Sequence, residues 1–279
     1  LTSFTLDGQQ YIQAFVKEKR SQEIQKFVVT GASKRGWTTW LTGAVDPRVA
    51  AIAPMVIDVL NIKEQMPHQV RSFGGYSEKI ADYSEKDLPD KLQRPEAKVL
   101  LALVEPYSYR AQLTMPKLIL LGTNDRYWPV DAVKLYFGDL PGEKHIHYVP
   151  NKGHGLGTDA VIAVGAFYDG VLRGKSLPRF GWTTESTDRG LVLRIVADDL
   201  PTSVRLWRAS AATRDFRDSP WSAESWSPEA KGRFAATIPH PEEGYAAVFG
   251  QLTYRSPLGF DYTLCTNVDI IEPTQAGRP

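Results

Sequence analysis

Ser33, Asp125 and His154 are the residues whose types and order in this chain could carry nucleophilic catalysis. A serine hydroxyl is a poor nucleophile at neutral pH. It needs a base to take its proton, and the base needs a carboxylate to hold its tautomer. Ser33 stands in GASKRG, Asp125 in LILLGTNDRYWPVD and His154 in IHYVPNKGHGLG. Such a set attacks the carbonyl of an ester or an amide. Taken alone, a Gly-x-Ser corner is equally compatible with an ordinary helix N-cap serine. The two later segments favour the catalytic reading.

The three side chains meet only if the surrounding elements bring them together. KFVVTGA, VAAIAPMVI, PKLILLGTND and KHIHYVPN read as strands, being aliphatic runs closed by turn residues. QQYIQAFVKEKR, RGWTTWLTGAV, PVDAVKLYFGDL and TDAVIAVGAFYDGVL read as helices between them. Alternating strands and helices imply a parallel sheet covered on both faces. Each of the three residues then follows a strand, so all three lie at one end of the sheet. At Ser33 a strand turns sharply into a helix, with Gly31 and Gly36 permitting the bend and a close helix–strand contact. That is the arrangement of a nucleophile elbow, although the second glycine comes one residue later than in G-x-S-x-G.

Neighbouring residues offer supporting roles. Lys34 follows the nucleophile, so its backbone N–H is a candidate oxyanion donor, and its side chain or that of Arg35 could add a cation. The alternative is a pair of solvated residues at a helix start, where cations oppose the helix dipole. Asp58, in MVIDVLN, ends the strand after the nucleophile helix. It competes with Asp125 as the acid, or serves as a pocket residue or a cap. Trp128 reads as support for the acid loop, or as a substrate platform. His145 and His147 alternate on one strand, where solvated edge residues are favoured over a metal pair. A helical insertion over residues 61–114 holds His68, Phe73, Tyr76, Tyr83, Tyr107 and Tyr109, whose rings either pack a cap or line a site. Trp207, Trp221 and Trp226 read as packing residues before sugar platforms.

The chain has 279 residues, of which 42% are hydrophobic, enough for one large or two ordinary domains. A net charge of +1 without a basic block argues against a nucleic-acid surface. One cysteine, Cys265, excludes an internal disulfide framework. No apolar run approaches the roughly 18 residues of a membrane span. The chain begins at Leu1 and shows no signal peptide, which leaves its location open. Near residue 175 the composition changes. GLVLRIVADD, SVRLWRASA, GRFAATIPH, GYAAVFGQLTY and DYTLCTNVDII are short strands between turn residues. They predict a separate β-sandwich over residues 176–279, packed on an α/β domain over residues 1–175.

The serine–acid–histidine chain order is that of α/β-hydrolases. More specifically, GASKRGWTTWLTGAVDPRV, LLGTNDRYWPVDA and VPNKGHGL resemble the PhoPQ-activated pathogenicity-related protein family, over about residues 1–270. The resemblance implies Ser33 as nucleophile, Asp125 as acid and His154 as base. It implies an exported, extracytoplasmic protein and a distant similarity to prolyl-peptidase-like hydrolases, which admits peptides beside small molecules as substrates. The G-x-S-basic-x-G spacing is also similar to that of glucuronoyl esterases, where the basic residue supports the oxyanion. No metal or organic cofactor follows from it, and the oligomeric state is open. Family members are longer at the N-terminus, whereas residues 1–26 leave room for one helix before the nucleophile strand. The expectation is therefore an N-terminally truncated hydrolase sheet that lacks the loop giving the second oxyanion donor.

Overall fold

A computed structural model describes residues 2–274 of the chain. Helix α1 (Thr2–Arg20) leads into β1 (Phe27–Ala32), α2 (Lys34–Val45) and β2 (Val49–Met55). Helices α3 (Ile62–Phe73), α4 (Ala81–Ser84), α5 (Leu88–Gln93) and α6 (Ala97–Val104) intervene before β3 (Lys117–Gly122). Then come β4 (Lys144–Val149) and α7 (Thr158–Leu172). β1, β2, β3 and β4 are neighbours in that order and all parallel. Trp40 of α2 lies in the core on one face of this sheet, and Ala160, Ala163 and Phe167 of α7 lie in the core on the other. The fold is α/β-hydrolase-like: a mixed sheet flanked by helices, with a smaller β-rich subdomain.

That subdomain is built from β5 (Phe180–Thr187), β6 (Gly190–Ala197), β7 (Ser203–Ala211), β8 (Ser222–Ser225), β9 (Arg233–Pro239), β10 (Tyr245–Arg255), β11 (Asp261–Cys265) and β12 (Asp269–Ile271). It is all-β and layered: the sheet β5–β6–β9 shares a buried cluster with β7, β10 and β12 through Leu193, Ile238, Leu206 and Val248. It is not a separate sandwich, however. β11 lies antiparallel beside β4, so the nine-stranded sheet runs β1–β2–β3–β4–β11–β10–β7–β8, with β12 on β10. The core is shared accordingly, with Ile146 and Tyr148 in one cluster with Trp221, Phe249 and Cys265.

This pairing also corrects the reading of His145 and His147. With β11 alongside, β4 is an interior strand, and both histidines are buried. His145 Nε2 lies 3.1 Å from Glu143 Oε1, and His147 Nδ1 lies 2.9 Å from the Thr263 carbonyl oxygen. The expected helix in PVDAVKLYFGDL is replaced by two short 3-10 turns, Ala132–Leu135 and Phe137–Asp139. Side chains take carbonyls there that a helix would need. Gln65 donates to Ala132 O, Asn61 to Leu135 O and the Tyr148 hydroxyl to Val130 O.

Candidate active site

Ser33 occupies the corner between β1 and α2 with φ 57° and ψ −125°, a conformation that non-glycine residues adopt only under strain. Two contacts enforce it. The Ser33 N–H donates to Met55 O at 2.9 Å, pinning the corner to β2. The helix is also pressed onto the strand: a Cβ on Gly31 would lie 2.7 Å from Arg35 O, and one on Gly36 would lie 2.5 Å from Ile57 Cγ2. Both glycines are therefore required by close approach, and the extra residue before the second is accommodated. The Ser33 hydroxyl makes no capping bond to α2, which removes the ordinary N-cap reading. The first N–H groups of α2 have no intrahelical partner, so the corner offers donors and positive potential.

Asp125 follows β3 and His154 follows β4. Asp125 Oδ2 and His154 Nδ1 are 2.8 Å apart, while Asp125 Oδ1 accepts from the Tyr127 N–H at 3.0 Å. Both carboxylate oxygens are thus used, and the imidazole is held by one ring nitrogen. The Tyr127 ring lies over the imidazole, with centroids 4.3 Å apart. Gly122 lets the two loops meet, since a Cβ there would come within 2.4 Å of Lys152 O and 2.3 Å of Gly153 O. Two further bonds tie the loops, from Asn124 N–H to Lys152 O and from Asn151 N–H to the Thr123 hydroxyl, each 2.9 Å.

His154 Nε2 is buried and has no hydrogen-bond partner among the described residues. It lines a cavity of about 600 Å³ together with Ser33, Lys34, Tyr127 and Trp128. Serine and histidine thus share this cavity without a hydrogen bond between them. Catalytic bonds of this kind commonly tighten only when substrate is bound.

The remaining candidates separate clearly. Lys34 is exposed and lines the cavity; Arg35 is exposed and does not line it. Trp128 both lines the cavity and packs against Met66, Ile80 and Leu101 from the helices above. Asp58 is buried, away from the cavity lining, and Asp125 rather than Asp58 holds His154. Burial pushes the Asp58 carboxyl up to about 8, with the charges of Asp125 and Asp131 adding to the effect. Asp58 also does not cap α3, whose N-cap residue is Asn61. Among the insertion's aromatics only Tyr83 reaches the cavity. Phe73 lies under Arg217, and the Tyr76, Tyr107 and Tyr109 hydroxyls donate to Asp90, Asp139 and the Leu103 carbonyl. His68 is a strut, with Nε2 2.7 Å from Asp131 Oδ1 in a buried pair. In the β region, Trp221 is buried in the core, Trp207 stacks on Phe249, and Trp226 packs against Phe234.

With this geometry in place, the relatives can be compared. The family model for the PhoPQ-activated pathogenicity-related protein matches residues 3–217. The chain belongs to this family. Its PhoPQ-related segment includes all three candidate triad residues and ends within the loop between β7 and β8. The chain is also 31% identical over 268 residues to autocrine proliferation repressor protein A of Dictyostelium discoideum, a match covering 86% of this chain and 54% of that protein. It thus spans about half the length of that curated relative. Solved structures give partial likenesses. Acetyl xylan esterase 1 from Thermoanaerobacterium sp. JW/SL YS485 is 18% identical with a TM-score of 0.39, covering 55% of this chain and 48% of that one. The acetyl xylan esterase of Paenibacillus sp. R4 is 14% identical with a TM-score of 0.43, covering 58% and 50%. Pyrococcus horikoshii acylaminoacyl peptidase is 18% identical with a TM-score of 0.37, covering 52% and 22%.

Residues that sequence reasoning passed over hold the PhoPQ-related site together. The Asn124 amide nitrogen lies 2.8–3.3 Å from the carbonyl oxygens of Phe216, Arg217 and Ser219. Asn151 exchanges two bonds with the Trp221 backbone. Both asparagines stand in turns after strands, where their type reads simply as turn chemistry. Their partners lie far along the chain, so no local signal reveals them.

Proposed function

We propose that the chain is a serine hydrolase acting on an ester or amide carbonyl, with Ser33, His154 and Asp125 as its triad. The observation that carries this reading is the Asp125–His154 bond, with Nε2 left unpartnered in the cavity that the strained Ser33 also lines. In the proposed reaction, His154 Nε2 takes the Ser33 proton as Oγ attacks the carbonyl carbon. Asp125 holds the tautomer that leaves Nε2 free and stabilises the imidazolium. The carbonyl oxygen gains a full negative charge, and the Lys34 N–H at the start of α2 faces that charge with the helix dipole behind it. The imidazolium then protonates the leaving alcohol or amine. Water, deprotonated by the same histidine, releases the acid from Ser33. An extracytoplasmic location belongs to this proposal through the family resemblance.

A second reading is favoured by the name of the Dictyostelium relative. In it the chain is a signalling or binding protein that keeps the hydrolase fold without the chemistry. A fluorophosphonate probe separates the two. Covalent labelling at Ser33, lost in Ser33→Ala and in His154→Ala, supports the hydrolase. A folded chain that resists labelling and cleaves no activated ester supports the binder.

A further inference from the structure

The cavity over Ser33 is lined mostly by apolar side chains. Its polar groups are those of Ser33, Lys34, Thr38, Tyr127 and His154, with Lys79, Asp82 and Tyr83 exposed on the lining. The rest of the wall is largely hydrocarbon, including buried Val59, Ile62, Met66 and Leu101, and Leu92 of α5. These residues come from the loop after β2 and from α3, α5 and α6. The apolar surface also continues outwards. Leu100 and Val104 line the cavity while 47% and 40% exposed, and the adjoining Val99 and Leu103 of α6 are 71% and 66% exposed.

A sugar or a peptide would bring many hydroxyls or amides against a wall with few polar groups to meet them, and a buried polar group without a partner is disfavoured. A hydrocarbon chain fits the same wall and gains with each methylene it removes from water. Building on the hydrolase reading above, we propose that the substrate is a carboxylic ester with an extended apolar acyl chain. The ester carbonyl lies at Ser33, and the chain lies beneath α3, α5 and α6. The apolar rim of α6 suits a substrate that is poorly soluble in water.

The test is an acyl-length series of para-nitrophenyl esters, acetate to dodecanoate, on the full chain. kcat/KM is expected to rise at least roughly a hundredfold from acetate to octanoate, several methylenes each adding discrimination. Met66→Trp and Leu92→Trp, each checked for folding by its thermal midpoint, should move the optimum to shorter chains. A flat or acetate-preferring series from a chain that fluorophosphonate labels at Ser33 would overturn the acyl-chain assignment and leave the hydrolase standing. With neither labelling nor turnover, the hydrolase reading falls, and calorimetric titration with dodecanoate decides the rest. Saturable binding that Met66→Trp abolishes retains the acyl site, and absence of binding overturns it.

Discussion

The two sides of the candidate site are built differently. On the acid–histidine side, bonds converge from distant parts of the chain. Asn124 and Asn151 reach the 216–221 segment, and Arg126 pairs with Glu78 and Asp218. Ser77 donates to Arg126 O, and Gln69 to Tyr127 O. On the cap side, α6 is held by contacts to its backbone, such as Trp37 Nε1 donating to Val104 O, while much of its apolar surface faces solvent. The first side is cross-linked by side-chain bonds from several segments; the second rests on the buried Leu101 and a few bonds to carbonyls of α6. The proposed function would use that division, because a proton relay tolerates little displacement whereas the proposed acyl site would have to admit a bulky chain.

The largest expected effects lie at the proposed triad. In the proposed mechanism, Ser33→Ala and His154→Ala should each lower kcat by at least about 10⁴-fold, with folding intact by circular dichroism. Measurable turnover near the wild-type rate in either variant would remove the triad. Gly122→Ala comes next. The new methyl would meet two backbone carbonyl oxygens, so the acid and histidine loops must separate. A displacement of about 1 Å is enough to cost about a hundredfold in rate. The kcat of Gly122→Ala, measured on protein still folded, tests whether those loops are as rigid as their bonds imply.

Asp58, buried and within electrostatic reach of Asp125, gives a pH test. Its carboxyl titrates at about 8 in the folded chain, against about 3.8 as its ordinary value. Between those values the folded chain keeps a proton that the unfolded chain has released. The stability that Asp58 contributes therefore falls as pH rises through that window and levels off above about 8. Asp58→Asn removes this slope, so its advantage over wild type in urea should be greater at pH 9 than at pH 5. An equal advantage at both pH values would contradict the buried, protonated carboxyl.

Smaller effects sharpen the contrast between the sides. Asn124→Ala strips a donor from a cluster of loop carbonyls and should destabilise by about 1–3 kcal/mol, whereas Leu103→Gln on exposed α6 should stay within about 0.5 kcal/mol. Comparable losses in urea titrations would erase the distinction drawn between the sides. Lys34→Ala leaves the backbone N–H in place and removes only the ammonium. If that group supports the oxyanion, kcat falls roughly tenfold with KM nearly unchanged. A full-rate variant would leave the N–H as this residue's whole contribution.

Legibility followed the range of the forces involved. Ser33, Asp125 and His154 could be located because each comes within a few residues of the end of an aliphatic strand, among turn residues, and both signals are local. Gly31 and Gly36 were legible for the same reason. Arg35 was a plausible cation by spacing, yet the turn of α2 leaves it off the cavity while Lys34 lines it. Strands β5 and β8 carried no clear period: β8 is exposed throughout, and β5 at five of its eight residues.

By itself, the sequence determined the residue types of the candidate site, the strand–turn corners that carry them and the all-β character of the C-terminal region. These rest on φ/ψ preferences and hydrophobic periods that a few neighbouring residues settle. Only the tertiary structure decided that β11 continues the sheet beside β4, which buries His145 and His147. It alone decided that Asp125, not Asp58, meets His154, and that the 216–221 segment clamps both loops. Periodicity marks which face of a strand is apolar, but it does not name the strand alongside. That choice depends on packing and hydrogen bonds between residues more than a hundred positions apart.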